Sequence, residues 1–142
     1  SGISITSRSL NALRMMKHVA RGSWVEVDGK RFYARSQAEK KFGLFLNYLK
    51  QHAIIKNFAH EPRTFWFEGI RRGCVSYKPD FLVEENDGSH WWAEVKGYMD
   101  SKSATKLKRF AKYFPEEEIR VIDSTWVAKN STKLKGLVKG WE

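Results

Sequence analysis

Two apolar runs joined by a short polar turn each carry a carboxylate where a sheet tolerates it least. Residues 75–84 contain Asp80 directly behind Pro79, and residues 90–96 contain Glu94 and Lys96. The link between them, Glu85-Asn86-Asp87-Gly88-Ser89, has the composition of a tight turn. The two runs are therefore expected to be antiparallel neighbours. Asp80 lies between Tyr77-Lys78-Pro79 and Phe81-Leu82-Val83. A carboxylate there is costly to bury unless it is paired or holds a metal. Proline removes a ladder donor, so Pro79 predicts an edge or a distortion. Beyond residue 96, Leu107, Phe110, Ala111 and Phe114 mark the inward face of a helix over 101–114, ended by Pro115. Residues 119–123 read as a strand. A strand reached through a crossover helix pairs in parallel. The pattern predicts a mixed β-sheet flanked by helices, in the α/β (α+β) class.

The N-terminal part adds three elements. Residues 9–21 have helical spacing behind Ser9, and Gly22 ends the run. Trp24 to Val27 and Lys30 to Tyr33 flank Asp28-Gly29, the pattern of a hairpin. Ser36 with Glu39 three residues later matches a capping box, and Ala38, Phe42, Phe45, Leu46 and Leu49 give a helix over 36–52. Residues 54–58 open the sheet region, 64–67 form a strand, 69–73 a basic turn, and 129–142 a short helix with Leu134, Leu137 and Val138 inside. Residues 1–34 are expected to be a helix-and-hairpin extension, and 35–142 the main domain of one globular unit.

Charge narrows the partners. Twenty-six Lys and Arg stand against sixteen Asp and Glu, a formal net charge of +10. Such a balance favours polyanions, with salt-dependent binding. No long uncharged apolar run and no basic amphipathic helix with a strong apolar face support a membrane partner. Residues 10–19 are interrupted by Asn11, Arg14, Lys17 and His18, unlike a signal peptide. The single cysteine, Cys74, cannot form an internal disulfide, which points to a reducing compartment such as the cytoplasm. It stands in a strand-like run without a partner motif and reads as a packing residue. The six tryptophans read as core, with Trp66, Trp91 and Trp92 in strand runs. His18, His52, His60 and His90 have no metal-ligand spacing; His60-Glu61-Pro62 precedes a strand that could approach the carboxylates.

The chemistry follows from the register. In a strand, Glu94 and Lys96 share one face. Each taken singly is compatible with an ordinary solvated face. Together with Asp80 on the neighbouring strand they are a different matter, because juxtaposed carboxylates repel unless a proton or cation lies between them. Two such carboxylates can bind a hard divalent cation. A lysine beside them can orient water and offset phosphate charge. That is equipment for metal-assisted phosphodiester hydrolysis on a nucleic acid. Glu39 has two competing roles, as the capping partner of Ser36 or as a further carboxylate on the site, and one rotamer is not expected to fill both. Arg35, Lys78, Arg71, Arg72, Lys102, Lys106 and Arg109 are candidate phosphate contacts. For Lys102, Lys106, Lys108, Arg109 and Lys112 the plainer reading is a solvated helix face.

Pro79-Asp80, Glu94-Val95-Lys96 and the helical Glu39 resemble the PD-(D/E)xK nuclease superfamily over residues 36–123. The strings Ser-Tyr-Lys-Pro-Asp-Phe-Leu (76–82) and Glu-Val-Lys-Gly (94–97) are similar to the phage endonuclease I group of Holliday (four-way) junction resolvases. Arg35-Ser36 and Glu39 resemble the helix opening in that group and in transposase-endonuclease subunits. The chain also resembles small phage proteins with Trp-Val-Glu-Val-Asp-Gly-Lys-Arg-Phe near the start. It departs from endonuclease I by a longer connection from Asp80 to Glu94 and an added hairpin before Glu39. The resemblance implies a restriction-endonuclease-like αβββαβ core, Mg²⁺ or Mn²⁺ as cofactor, and often a homodimer. It implies that Asp80, Glu94, the Val95 carbonyl and Glu39 act on the metal, and that Lys96 activates water. In a phage protein the place of action would be the bacterial host cytoplasm.

The leading expectation is a structure-selective DNA endonuclease of the four-way-junction type. A second keeps the site and changes the substrate to nicked, branched or linear DNA, or to transposon ends. A third, from another class, is a non-catalytic DNA-binding module in recombination or packaging, for which an intact Asp80, Glu94 and Lys96 would have no use. RNA binding is allowed by charge, but no RRM-like aromatic motif or GxxG loop supports it.

Overall fold

The structure is a computed structural model that describes residues 22–97 and 99–141. The helix expected over 9–21 lies outside the described residues. The chain opens with β1 (Ser23–Val27) and β2 (Lys30–Ala34), an antiparallel hairpin. Asp28 and Gly29 both have positive φ, 52° and 75°, as a two-residue hairpin turn requires. Val25, Val27 and Ala34 face inward against Leu44 and Phe58, while Trp24, Glu26, Arg31 and Tyr33 face outward. Helix α1 (Gln37–Gln51) follows, with Ser36 as N-cap accepting the Glu39 N–H at 3.1 Å.

Next come β3 (Asn57–His60), the two-stranded ribbon β4 (Phe65–Trp66) and β5 (Ser76–Tyr77), β6 (Phe81–Glu84), β7 (His90–Val95), α2 (Ser101–Tyr113), β8 (Ile119–Ile122) and α3 (Ser124–Leu137). The main sheet has the order β3-β6-β7-β8, antiparallel except for the parallel β7–β8 pair. Leaving aside the β4–β5 ribbon, α1-β3-β6-β7-α2-β8 is the expected αβββαβ order, in a mixed α+β fold.

Packing follows the strand alternation. Phe81, Val83, Trp91 and Ala93 face α1 and meet Phe42 and Leu46. Trp92 faces the other way, into a core with Phe65, Phe67, Tyr77 and Phe110, roofed by α2 and the ribbon. β7 is thus buried on both faces, and Glu94 is a buried carboxylate in it. α3 closes on α1 through Leu134, Val138 and Trp141. No helix among the described residues is long and apolar enough to cross a membrane.

Several expectations need correction. The run 75–84 is not one strand. It breaks over Lys78, Pro79 and Asp80, because Pro79 has no N–H and β5 pairs with β4 while β6 pairs with β3 and β7. Strand β3 begins at Asn57 rather than 54, after a reversal in which Ala53 takes φ 56°. α3 starts at Ser124 rather than 129, capped by Asp123, whose side chain accepts the Trp126 N–H. Leu137 is exposed, and Trp141 fills the interior place expected of it. On α2, Ala111 is exposed, and the inward row is Ser103, Leu107, Phe110 and Phe114. Cys74 is buried in the turn before β5, with Sγ 3.6 Å from the Lys102 carbonyl. Trp66 is no core residue: it faces solvent.

Candidate active site

The register builds the site. Phe81 pairs with Ala93, so one step further Asp80 comes level with Glu94. His60 pairs with Phe81, and the Glu61 N–H donates to the Asp80 carbonyl at 2.8 Å, so Glu61 comes level with Asp80 on the other side. Three carboxylates therefore align across β3, β6 and β7 where the ladders end. The break at Pro79 is what frees Asp80 from the ladder. The first turn of α1 adds Glu39 from the sheet's end. Glu39, Asp80 and Glu94 are all buried.

Each group has a distinct set of partners. Asp80 Oδ2 accepts the Val95 N–H at 2.7 Å. The next N–H, of Lys96, goes to Ile122 at 3.0 Å on the β8 side. A strand residue points its N–H and C=O to the same edge, so the Val95 carbonyl is presented toward Asp80. Glu94 Oε1 accepts the Tyr77 hydroxyl at 2.7 Å, and Oε2 pairs with Lys96 Nζ at 3.2 Å. Glu39 Oε2 accepts the Arg35 backbone N–H, while Oε1 lies 3.4 Å from His60 Nε2. The expected conflict between cap and site is thus resolved by dividing the two oxygens: one holds the chain entering the helix, the other faces His60. Glu61 pairs with Arg35 at 3.0 Å and Lys78 at 3.4 Å, from a backbone held at φ 47°.

Asp80 takes part in none of the ion pairs seen here among the described residues. Its burial, with the Glu94 and Glu39 carboxylates beside it, pushes its pKa up to about 9. Burial also works against the charge on Glu39, but the His60 ring, the Arg35 N–H and the bond with Asp80 outweigh it and hold Glu39 below its ordinary value. Burial and the neighbouring Glu94 raise the Tyr77 phenol far above its ordinary value, so it remains a donor. A carboxyl that burial and two neighbouring carboxylates drive toward its protonated form asks for a cation. Hard oxygen donors on three elements, with a backbone carbonyl beside them, fit Mg²⁺ or Mn²⁺ rather than a soft metal.

These residues line a cavity of about 240 Å³ whose wall includes Arg35, Lys78, Lys96 and Lys106. The other expected phosphate contacts lie elsewhere. Arg71 and Arg72 sit exposed on the β4–β5 turn, and Lys102 is exposed on the first turn of α2. Arg109 Nη1 donates to the Cys74 carbonyl at 2.7 Å and so pins that turn to α2. Sequence reasoning missed Tyr77 and gave His60 and Glu61 little weight. Glu39, His60 and Glu61 bring ligand-type atoms within 4.8 Å of one another. The signal for Glu61 and His60 was their place just ahead of the strand pairs; Tyr77 gave none beyond its place in the Asp80 string.

The fold and site define a mixed α+β domain with a buried carboxylate cluster, a lysine and a basic rim. The chain belongs to the family described as "Protein of unknown function (DUF1064)", whose model matches residues 15–136. No curated protein matches it.

Proposed function

We propose that this protein is a metal-dependent, structure-selective DNA endonuclease that cuts phosphodiester bonds at four-way junctions, a phage-type resolvase resembling the PD-(D/E)xK superfamily. The observation that carries the reading is the convergence of Glu39, Asp80 and Glu94 beside Lys96, in a cavity rimmed by Arg35, Lys78 and Lys106. An inert binding surface gains nothing from an acid so placed that its own proton is trapped.

Asp80, Glu94, Glu39 and the Val95 carbonyl would hold Mg²⁺ or Mn²⁺, which supplies compensation for the charge gathering on the scissile phosphate. Lys96 orients the attacking water, and its own position is set by Glu94. Tyr77 holds the other oxygen of Glu94 and so fixes the pair. Lys106, Arg35 and Lys78 engage the flanking phosphates. The water oxygen bonds to phosphorus as the bond to the leaving sugar oxygen breaks. Paired cuts across a junction need two such sites, which makes a homodimer the working form. The place of action is the cytoplasm, that of the bacterial host for a phage protein.

The test is cleavage of a labelled four-way junction beside the matching linear duplex, in Mg²⁺ and in EDTA, with Asp80→Asn and Lys96→Ala. Paired, metal-dependent cuts in the junction alone, lost in both variants, are expected. Equal cutting of both DNAs removes the junction claim. Tight binding without cuts in either metal turns the protein into a binding module.

A further inference from the structure

Two ribbons leave the pocket, and both carry an exposed tryptophan. Trp24 on β1 is 61% exposed and Trp66 on β4 is 66% exposed, the highest values for large hydrophobic residues among those described. Each indole, held out in water on a strand, offers apolar surface on which a base can stack. The Trp24 indole is braced by its neighbours. Trp24 meets its cross-strand partner Tyr33 edge to face at 5.5 Å, and the Arg31 guanidinium lies 4.6 Å over its ring. Trp66 is opposite Ser76 in the ribbon whose other face is sealed by Phe65 and Tyr77.

Both ribbons run directly into the pocket. On the first, Arg35 follows Tyr33 by two residues; on the second, Lys78 follows Ser76 by two. Two residues of extended chain span about 7 Å. Arg35 and Lys78 then meet on the same carboxylate, Glu61, at 3.0 and 3.4 Å. The exposed aromatics thus flank the pocket, one on each arm, with a cation between each and the carboxylates. Further exposed arginines lie beyond, Arg31 on the first ribbon and Arg71 and Arg72 at the turn of the second. Aromatic faces alternating with cations on a chain of net charge +10 match one ligand chemistry: stacked bases on a phosphate backbone. In an intact duplex the base faces are already covered, so these surfaces select bases that are out of the helix.

We propose that the outer faces of the two ribbons are stacking platforms for unpaired bases on either side of the phosphate in the pocket, so that the substrate is DNA opened at the point of cleavage. The identity of the polymer rests on the nuclease reading above; the stacking itself does not require cleavage.

The test uses the full chain in EDTA, where no cutting occurs, with fluorescein-labelled oligothymidylate and a fully paired duplex as probes. Trp24→Ala and Trp66→Ala should each weaken oligothymidylate binding about tenfold or more, the usual effect of deleting one stacking ring. Duplex binding should change by less than about twofold, because phosphate contacts dominate it. Trp24→Phe should recover most of the loss. Both residues are solvent-facing, so unchanged melting curves will show that the variants fold. Wild-type oligothymidylate affinity in both alanine variants overturns the proposal, as does an equal loss on the two probes. So does a dimer that falls apart in these variants with oligothymidylate binding intact, which would give the faces to a second copy of the chain. If the nuclease reading fails instead, Mg²⁺ restores no cutting while the single-strand selectivity and its loss in the alanine variants persist.

Discussion

Asp80 is where a single side chain governs both stability and chemistry. Its pKa of about 9 in the folded protein stands far above the ordinary aspartate value of 3.8 that it has when unfolded. Between those two values the folded state binds a proton that the unfolded state has released. Stability from this group is therefore complete below about pH 4 and is lost as pH rises toward 9. Asparagine keeps the acceptor for the Val95 N–H and removes the charge. In EDTA at pH 8, Asp80→Asn is expected to be more stable than wild type by about 1–3 kcal/mol, because it removes the cost of holding a proton that the unfolded chain releases. The gap should narrow as pH falls and close below about pH 4, and Mg²⁺ should stabilise wild type but not the variant; urea unfolding across pH measures both. Tyr77 predicts the opposite sign. Tyr77→Phe leaves Glu94 Oε1 without its donor at 2.7 Å in a buried setting. The expected loss is about 1–2 kcal/mol in urea unfolding, together with slower cleavage, since Lys96 loses the anchored carboxylate that positions it.

At the scale of elements, Gly43 shows how α1 reaches the sheet. A Cβ there would lie 2.6 Å from Phe32 Cζ and 3.3 Å from Phe81 Cζ. Phe32 in turn stacks on His60 at 4.4 Å, and His60 faces Glu39. Alanine gains about 1 kcal/mol of helix propensity over glycine, but overpacking of this kind costs about 1–3 kcal/mol. Phe32 cannot swing aside without leaving His60. Gly43→Ala is therefore expected to lower the melting temperature and to weaken metal binding at Glu39, read by thermal unfolding with and without Mn²⁺. The same elements explain what the amino-acid order disclosed. The hairpin at Asp28-Gly29, the cap at Ser36 and the helix end at Pro115 were legible because each depends on local chemistry. So was the pairing of Asp80 with Glu94, since a short turn sets the register. The broken strand at Pro79 was foreseeable only as a distortion; its cause is that β5 finds a partner in β4, a contact from ten residues away in sequence. Glu61 and His60 depend on β3 pairing with β6 across the whole inserted ribbon; their place ahead of a strand is visible in the sequence, but that pairing is not. α3 begins earlier than its apolar spacing predicts because Asp123, which reads as the end of a strand, caps the next helix through its side chain.

For the whole molecule, the proposed nuclease function raises the question of which of its many cations would meet DNA and which hold the protein together. Lys106 and Arg109 stand on the same helix, three residues apart, and the basic composition alone treats them alike. The structure separates them. Lys106 lines the cavity with the carboxylates, whereas the Arg109 guanidinium is engaged by the Cys74 carbonyl at 2.7 Å. A lysine that meets a phosphate releases counterions, so its removal should lower the slope of log affinity against log salt by about 1. An arginine donating to a half-buried carbonyl instead contributes about 1.5–3 kcal/mol of stability, and its loss should free the turn over residues 69–73. Lys106→Ala is accordingly expected to keep the wild-type melting temperature and bind junction DNA with a shallower salt dependence. Arg109→Ala is expected to melt earlier and, at a temperature where it is fully folded, to keep the wild-type slope. Binding titrations of Asp80→Asn carrying each change, at several salt concentrations in EDTA, measure the slopes without cleavage. A shallower slope in Arg109→Ala would mean that the guanidinium leaves Cys74 when DNA arrives, and that the β4–β5 arm moves with it.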